Sequence, residues 1–295
     1  MLKPWRSSSP LAMFALVGIT IIWGWSFTVV KQAIESIPVL DFLALQFLIA
    51  VLVMIILRPT CLKRITLRDL KHGVPLGAIL SLAYIVQTLG LRTTSAAVSG
   101  FITGMSVVLT PIIAWLLLHD RIGLKTWLSV ALATIGLALL SLHGWSFGIG
   151  ELLVFGCAVL FALYIVILGK WSSAHDSYNL AVVQLGTVAV ICLIAASPGG
   201  IVMPPDLHVW MAVGIIAILA TALAYLVQTW AQSIISSTHA AVIMTMEPVF
   251  AGIFAVLLGH EQLTPRAIAG AACVLVAMFV IRIKTGVRKS HRMYN

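Results

Sequence analysis

Residues 82–88 read LAYIVQT and residues 223–229 read LAYLVQT, near-identical heptapeptides 141 positions apart in a chain of 295. The same spacing relates His119-Asp120 to His260-Glu261, so the second half of the chain copies the first. Each half carries five long, charge-poor apolar stretches. An odd number of membrane crossings per copy forces the second copy to insert upside down, which leaves a solute site between the copies.

Sixty-one per cent of residues are hydrophobic and nine per cent charged, too few charges to cover a water-soluble domain of this length. A bilayer core takes about 20 apolar residues per helix. Such stretches occupy 11–30, 38–57, 73–91, 95–118, 125–142, 149–169, 178–197, 208–231, 238–258 and 265–281. The expectation is an all-α integral membrane protein with ten transmembrane helices arranged as two inverted five-helix repeats. The units are 1–143, 144–284 and a basic tail, 285–295. The first stretch belongs to the repeat and is not read as a cleaved signal peptide.

With the amino terminus in the cytoplasm, fifteen of the eighteen lysines and arginines fall inside, and Lys31, Arg92 and Arg266 fall outside. That satisfies the positive-inside rule, places both termini in the cytoplasm of a cell-membrane protein and accounts for the net charge of +9. The bases sit in short loops and a tail without interleaved aromatics, which argues against nucleic acid as a partner. Segment 58–72 is the longest loop, basic enough to lie on an anionic leaflet. Cys157, Cys192 and Cys273 lie in spans and Cys61 in a loop, in no disulfide or metal pattern, and His119 and His260 have no second histidine at ligand spacing. No cofactor or metal is expected.

Several stretches together resemble the drug/metabolite transporter superfamily, specifically its EamA family of ten-span exporters and permeases. Trp23-Gly24-Trp25-Ser26-Phe27 resembles the family's WGxxF pattern. Residues 95–118 (SAAVSGFITGMSVVLTPIIAWLLL) are similar to its small-residue, proline-containing fourth helix, and residues 240–263 (AAVIMTMEPVFAGIFAVLLGHEQL) to its EPVxA…LxGExL pattern. The resemblance implies small-metabolite transport and leaves the substrate open. Gln46 stands where the second span often carries arginine, so that residue's anion-binding role is not implied. Pro111 lies nine residues before Asp120 but Pro248 thirteen before Glu261, so kinks at different depths are expected in the two repeats.

Glu247 is the one carboxylate deep inside an expected span. A central acidic residue costs about 2.5 to 3.5 kcal/mol on insertion and so calls for a partner, a watery cavity or protonation. Two readings follow: a proton-coupling group or counter-ion for an amine, or a brace for the helix beside Pro248. Tyr84, Gln87 and Thr88 in the third span, and Thr221, Tyr225, Gln228 and Gln232 in the eighth, recur at helical spacing as polar stripes that must face inward. Gln46 and Gln184 hold corresponding places in the second and seventh spans. The set reads as a substrate-cavity lining, and interhelical bonding is the alternative for each member. Trp23, Trp25, Phe27 and Tyr164 are candidate aromatic walls. Lys31 and Lys170, related by the repeat, either snorkel to the interface or gate opposite mouths. The GxxxG sequence at Gly100 and Gly104 serves packing within the bundle or a homodimer.

The leading function is secondary transport of a small metabolite, such as an amino acid or amphipathic compound, with a proton as the candidate coupling ion. No GxxxxGK[ST] loop is present for direct ATP drive. A membrane-embedded enzyme would need clustered acid/base groups that nine scattered acidic residues do not supply. A passive channel or a non-transporting membrane protein is the remaining class.

Overall fold

The computed structural model describes residues 8–118, 124–143, 146–235, 237–244 and 246–282. The His119-Asp120 pair, residues 144–145 and the basic tail lie outside them. The chain is helical, as hydrocarbon demands of a backbone that must satisfy its own hydrogen bonds. Among the described residues, seven helices are long and apolar enough to cross a membrane: Pro10–Ala33, Val39–Leu57, Leu67–Leu91, Ala96–Leu117, Ile149–Ala174, Ser177–Gly199 and Leu207–Ile234. Helices also cover the other three expected stretches, at Leu124–Ser141, Ser237–Met244 with Met246–Leu257, and Pro265–Arg282.

In chain order the helices are α1 (Ser8–Ala33), α2 (Val39–Leu57), α3 (Cys61–Arg64), α4 (Leu67–Leu91), α5 (Ala96–Gly104), α6 (Ser106–Leu118), α7 (Leu124–Ser141), α8 (Ile149–Trp171), α9 (Ser177–Ala196), α10 (Leu207–Ile215), α11 (Ala224–Ile234), α12 (Ser237–Met244), α13 (Met246–Leu257) and α14 (Pro265–Arg282). A π-helix, Ile216–Leu223, joins α10 to α11. Among the described residues, the one departure from the all-helical expectation is a short ribbon pairing Leu142–His143 with Ser146–Phe147.

Local chemistry sets several helix starts. Asp176 accepts from the backbone of Tyr178 and Asn179 to cap α9, and Asp206 accepts from Val209 to cap α10. Thr66 and Asp69 form a reciprocal capping box, Asp69 N–H to Thr66 Oγ1 at 3.2 Å and Thr66 N–H to Asp69 Oδ2 at 2.8 Å. That box corrects the expectation of a loop running from 58 to 72: α4 starts at Leu67, and α3 occupies part of the remainder. The expectation about proline kinks also changes. Pro248 sits in the first turn of α13, where its missing N–H is harmless, whereas Pro111 lies inside α6. The fourth stretch divides earlier than Pro111, between Gly104 and Ser106.

The core is apolar, but so is much of the outer surface, and a set of polar side chains is buried within. Phe14, Leu57, Ile149 and Leu207 are mostly exposed, while Gln46, Gln184, Gln228 and Gln232 are buried. Helices that hold equivalent places in the two halves pack on each other, α7 on α14 and α2 on α9. α13 lies against α1 and α5. Gly24 permits the first contact: a Cβ there would stand 2.5 Å from Phe250 Cβ, 2.7 Å from Ala251 N and 2.9 Å from Glu247 O. Gly100 meets Ala251 the same way. The WG and EP pairs of the two halves thus face each other, and Gly100 of the GxxxG sequence is used inside the bundle.

Candidate functional site

The two copied heptapeptides meet at the centre of the molecule. Tyr225 donates from its hydroxyl to that of Tyr84 at 2.9 Å, a contact between residues 141 positions apart. Around this pair lies a cavity of about 70 Å³, room for a few waters at roughly 10–15 Å³ each. Trp23, Gln46, Tyr84, Gln87, Tyr225, Gln228 and Glu247 all line it. α1 contributes Trp23, Ser26, Phe27 and Val30 from one face, and α4 contributes Tyr84, Gln87, Thr88 and Leu91 from the opposite one.

The rings form a connected wall. Trp23 lies 5.6 Å from Tyr225 between centroids, Tyr84 6.1 Å from Tyr225, and Tyr84 5.7 Å from Phe161. Phe161 was not singled out in the sequence, although it stands to Trp23 in the same spacing as Gln184 to Gln46. The π-helix is a second feature without a sequence signal. Its irregular hydrogen bonding lets Ala220 O accept from Trp23 Nε1 at 2.8 Å, and wide turns of this kind recur at functional sites. Thr221 Oγ1 donates to Ile216 O at 3.0 Å and accepts from Gln46 Nε2 at 2.8 Å.

Because the Thr221 hydroxyl proton is committed to Ile216, Gln46 must present its amide N–H to Thr221, which leaves its Oε1 for another donor. Among the described residues, Gln46 Oε1 and Gln228 Oε1 have no hydrogen-bond partner. Among the described residues, no hydrogen bond or ion pair reaches Glu247 and no lysine or arginine lines the cavity. The cavity wall therefore carries a carboxylate, and two of the glutamines that line it hold buried, unpaired amide oxygens. Gln87 donates to Thr103 Oγ1 at 3.1 Å, which ties α4 to α5 at the cavity wall.

Five sequence-derived candidates lie outside the lining: Thr221, which bonds Gln46 from behind the wall, Trp25, which borders a separate depression with Val29 and Ala212, and Tyr164, Gln184 and Gln232. Tyr164 donates to Gln184 Oε1 at 2.8 Å, and Gln184 Nε2 donates to Thr229 Oγ1 at 2.9 Å, a fully buried chain joining α8, α9 and α11. Gln232 donates to Ile165 O at 3.2 Å. Tyr164 stays close to the site through its ring, 6.1 Å from Tyr225.

A polar clasp lies beyond one end of the cavity. Val30 and Leu91 line that end. Just beyond them Lys31 Nζ donates to Thr94 O at 2.9 Å and lies 3.5 Å from Glu261 Oε1. Glu261 in turn accepts from Ala96 N at 2.7 Å and Ala97 N at 3.1 Å, at the positive end of α5. His260 adopts a left-handed φ of 51° at the end of α13 and turns the chain so that Glu261 reaches back to α5. Lys31 is thus partnered rather than snorkelling, whereas Lys170 is exposed and without an ion pair among the described residues. Glu261 carries a role that the sequence marked only through its repeat copy.

The family model of the EamA-like transporters matches the chain twice, over residues 10–142 and 148–283. An uncharacterised transporter of Archaeoglobus fulgidus is 34% identical over 274 residues, covering 92% of this chain and 86% of that one. The uncharacterised transporter YvbV of Bacillus subtilis is 25% identical and is covered over 92% of its length. A solved crystal structure superposes with a TM-score of 0.65 over 93% of this chain and 98% of its own, at 18% identity, a likeness of fold alone.

Proposed function

This chain belongs to the EamA-like transporter family, and from that membership we propose that it moves a small metabolite bearing a protonated amine, such as an amino acid or an amphipathic amine, by alternating access. The observation that carries the substrate class is the cavity's chemistry. One carboxylate, Glu247, lines the cavity together with Gln46 and Gln228, whose amide oxygens are buried without a partner, and no basic side chain lines it among the described residues. Trp23, Tyr84, Phe161 and Tyr225 add ring faces, each worth about 0.5–2 kcal/mol to a cation. Glu247 binds either a proton or the substrate ammonium, so the two ions compete and proton entry drives amine exit. In proteoliposomes the purified protein is expected to show saturable uptake of a radiolabelled amine that is accelerated by unlabelled amine on the other side. Linear, unaccelerated flux would instead mean a channel.

The ten stretches act as two inverted repeats, 1–143 and 144–284, with the Tyr84–Tyr225 pair near their shared axis. The mutual packing of α2 with α9 and of α7 with α14 supports this. Both termini lie in the cytoplasm and the host bilayer is the cell membrane, on the distribution of basic residues. In that orientation the Lys31–Glu261 clasp closes the outer mouth, and the exposed Lys170 marks an inner mouth that is not clasped. A partly exposed ion pair contributes up to about 1 kcal/mol, so Lys31→Met should expose the outer mouth about fivefold more often. A reporter cysteine at Val30 is then expected to react about fivefold faster with an impermeant thiol reagent added outside intact cells, while one at Ser173 stays unlabelled. An unchanged rate at Val30 would rule out the clasp, and labelling at Ser173 would invert the topology.

A further inference from the structure

We propose that the basic end of α2, with α3 and the starts of α4 and α9, forms a binding site for an acidic phospholipid, separate from the transport cavity and independent of the transport reading. Arg58, Lys63, Arg64, Arg68 and Lys71 fall within this short stretch. Among the described residues only Arg58 has a carboxylate partner, Asp176 Oδ1 at 3.5 Å. The other nearby acid, Asp69, is engaged by His175 Nδ1 at 2.6 Å and by its own capping box. Positive charge is therefore left over. It is also held in place: Cys61 is buried, and Asn179 Nδ2 donates to Arg64 O at 3.0 Å, pinning α3 to α9.

Apolar side chains interleave with these bases and face outward. Leu57, Leu62 and Leu67 are 76%, 56% and 85% exposed. Leucines and bases alternating on one segment fit the boundary between headgroups and acyl chains, where both find a partner. Beside Arg58 opens a groove of about 470 Å³, walled by Asp176 and Ser177 at the Arg58 end and by Tyr178, Leu226, Val227 and Trp230. The Arg58 guanidinium lies 5.1 Å from the Tyr178 ring centre, and the Tyr178 hydroxyl donates to Met54 O, so the mouth of the groove is rigid. A lipid phosphate that takes the place of Asp176 at Arg58, drawn by Lys63 and Arg64 of the neighbouring α3, unpaired among the described residues, places one acyl chain along Leu226 and Val227 beneath Trp230. A free anion would satisfy the bases but leave the aliphatic wall and the three leucines in water. The lipid satisfies both.

The test uses the full chain in neutral detergent and follows tryptophan fluorescence as phosphatidylglycerol with brominated acyl chains is added, with brominated phosphatidylcholine in parallel. Expected are saturable quenching that favours phosphatidylglycerol by at least tenfold, and loss of that component in Trp230→Phe. At about fivefold per base near a lipid surface, Arg58→Gln with Lys63→Gln and Arg64→Gln should weaken binding on the order of a hundredfold, and Arg58→Lys alone only slightly. Size-exclusion profiles of each variant check folding. Equal quenching by the two lipids would reduce the site to an apolar groove. Full competition by millimolar glycerol phosphate would reduce it to an anion site. Either result, or an unchanged triple variant, overturns the proposal. Because the readout is lipid binding in detergent, its failure leaves the transport reading untouched.

Discussion

Glu247→Gln is expected to leave the protein folded and to abolish most amine transport, with at least a tenfold loss of substrate affinity, about 1.4 kcal/mol. Glutamine keeps the shape and hydrogen bonding of the carboxyl but cannot ionise. In the wild type, raising the pH ionises Glu247 and favours the ammonium, and lowering it returns the proton and expels the substrate. The variant is fixed in the neutral form and should bind weakly with no pH dependence. Uptake into proteoliposomes across a series of pH values, with detergent binding assays alongside, measures both quantities. Two results together would assign Glu247 to bracing α13 instead: near-normal transport with an unchanged pH profile in Glu247→Gln, and poor expression of Glu247→Ala. The size of the expected effect follows from the cavity, in which no other charged side chain lines the wall.

Gly24→Val is expected to cost about 1–3 kcal/mol of stability, the usual penalty for forcing atoms into a packed core. The new Cβ would collide with Phe250 Cβ and with the backbone at Ala251 and Glu247, and neither backbone contact can swing aside as a flexible side-chain tip would. Displacing α13 also moves Glu247 out of register with Trp23, so substrate binding should fall with stability. Gly18→Ala supplies the control on the same helix, since a Cβ there meets nothing within 4 Å. Thermal unfolding in detergent should therefore drop for Gly24→Val and stay near wild type for Gly18→Ala. Equal melting temperatures would mean that α1 and α13 separate more easily than their packing indicates.

The same helix pair shows how far the sequence could be read. The apolar stretches located the helices because about 20 residues without charge have one stable conformation in lipid, and the heptapeptide copy identified Tyr84, Gln87, Tyr225 and Gln228 before any coordinates. Glu247 was legible because a carboxylate in hydrocarbon is costly enough to need a reason. The start of α4 was not, since the charge of Arg68, Asp69 and Lys71 hid a capping box that a helix tolerates at its first turn.

By itself, then, the sequence determined an all-helical membrane chain made of two copies, and determined which polar residues face inward. Helical period fixes a side chain's face, and lipid punishes the wrong one. Which inward residues reach the cavity was decided only by the tertiary structure. Gln46 and Gln184 hold equivalent places in the two halves, yet Gln46 leaves an oxygen free beside the cavity while Gln184 is consumed between Tyr164 and Thr229. The pairing of Lys31 with Glu261 and the acceptance of the Trp23 N–H by Ala220 O depend on helix crossings and on a π-helix. Such contacts join residues distant in the chain, and no local periodicity records them.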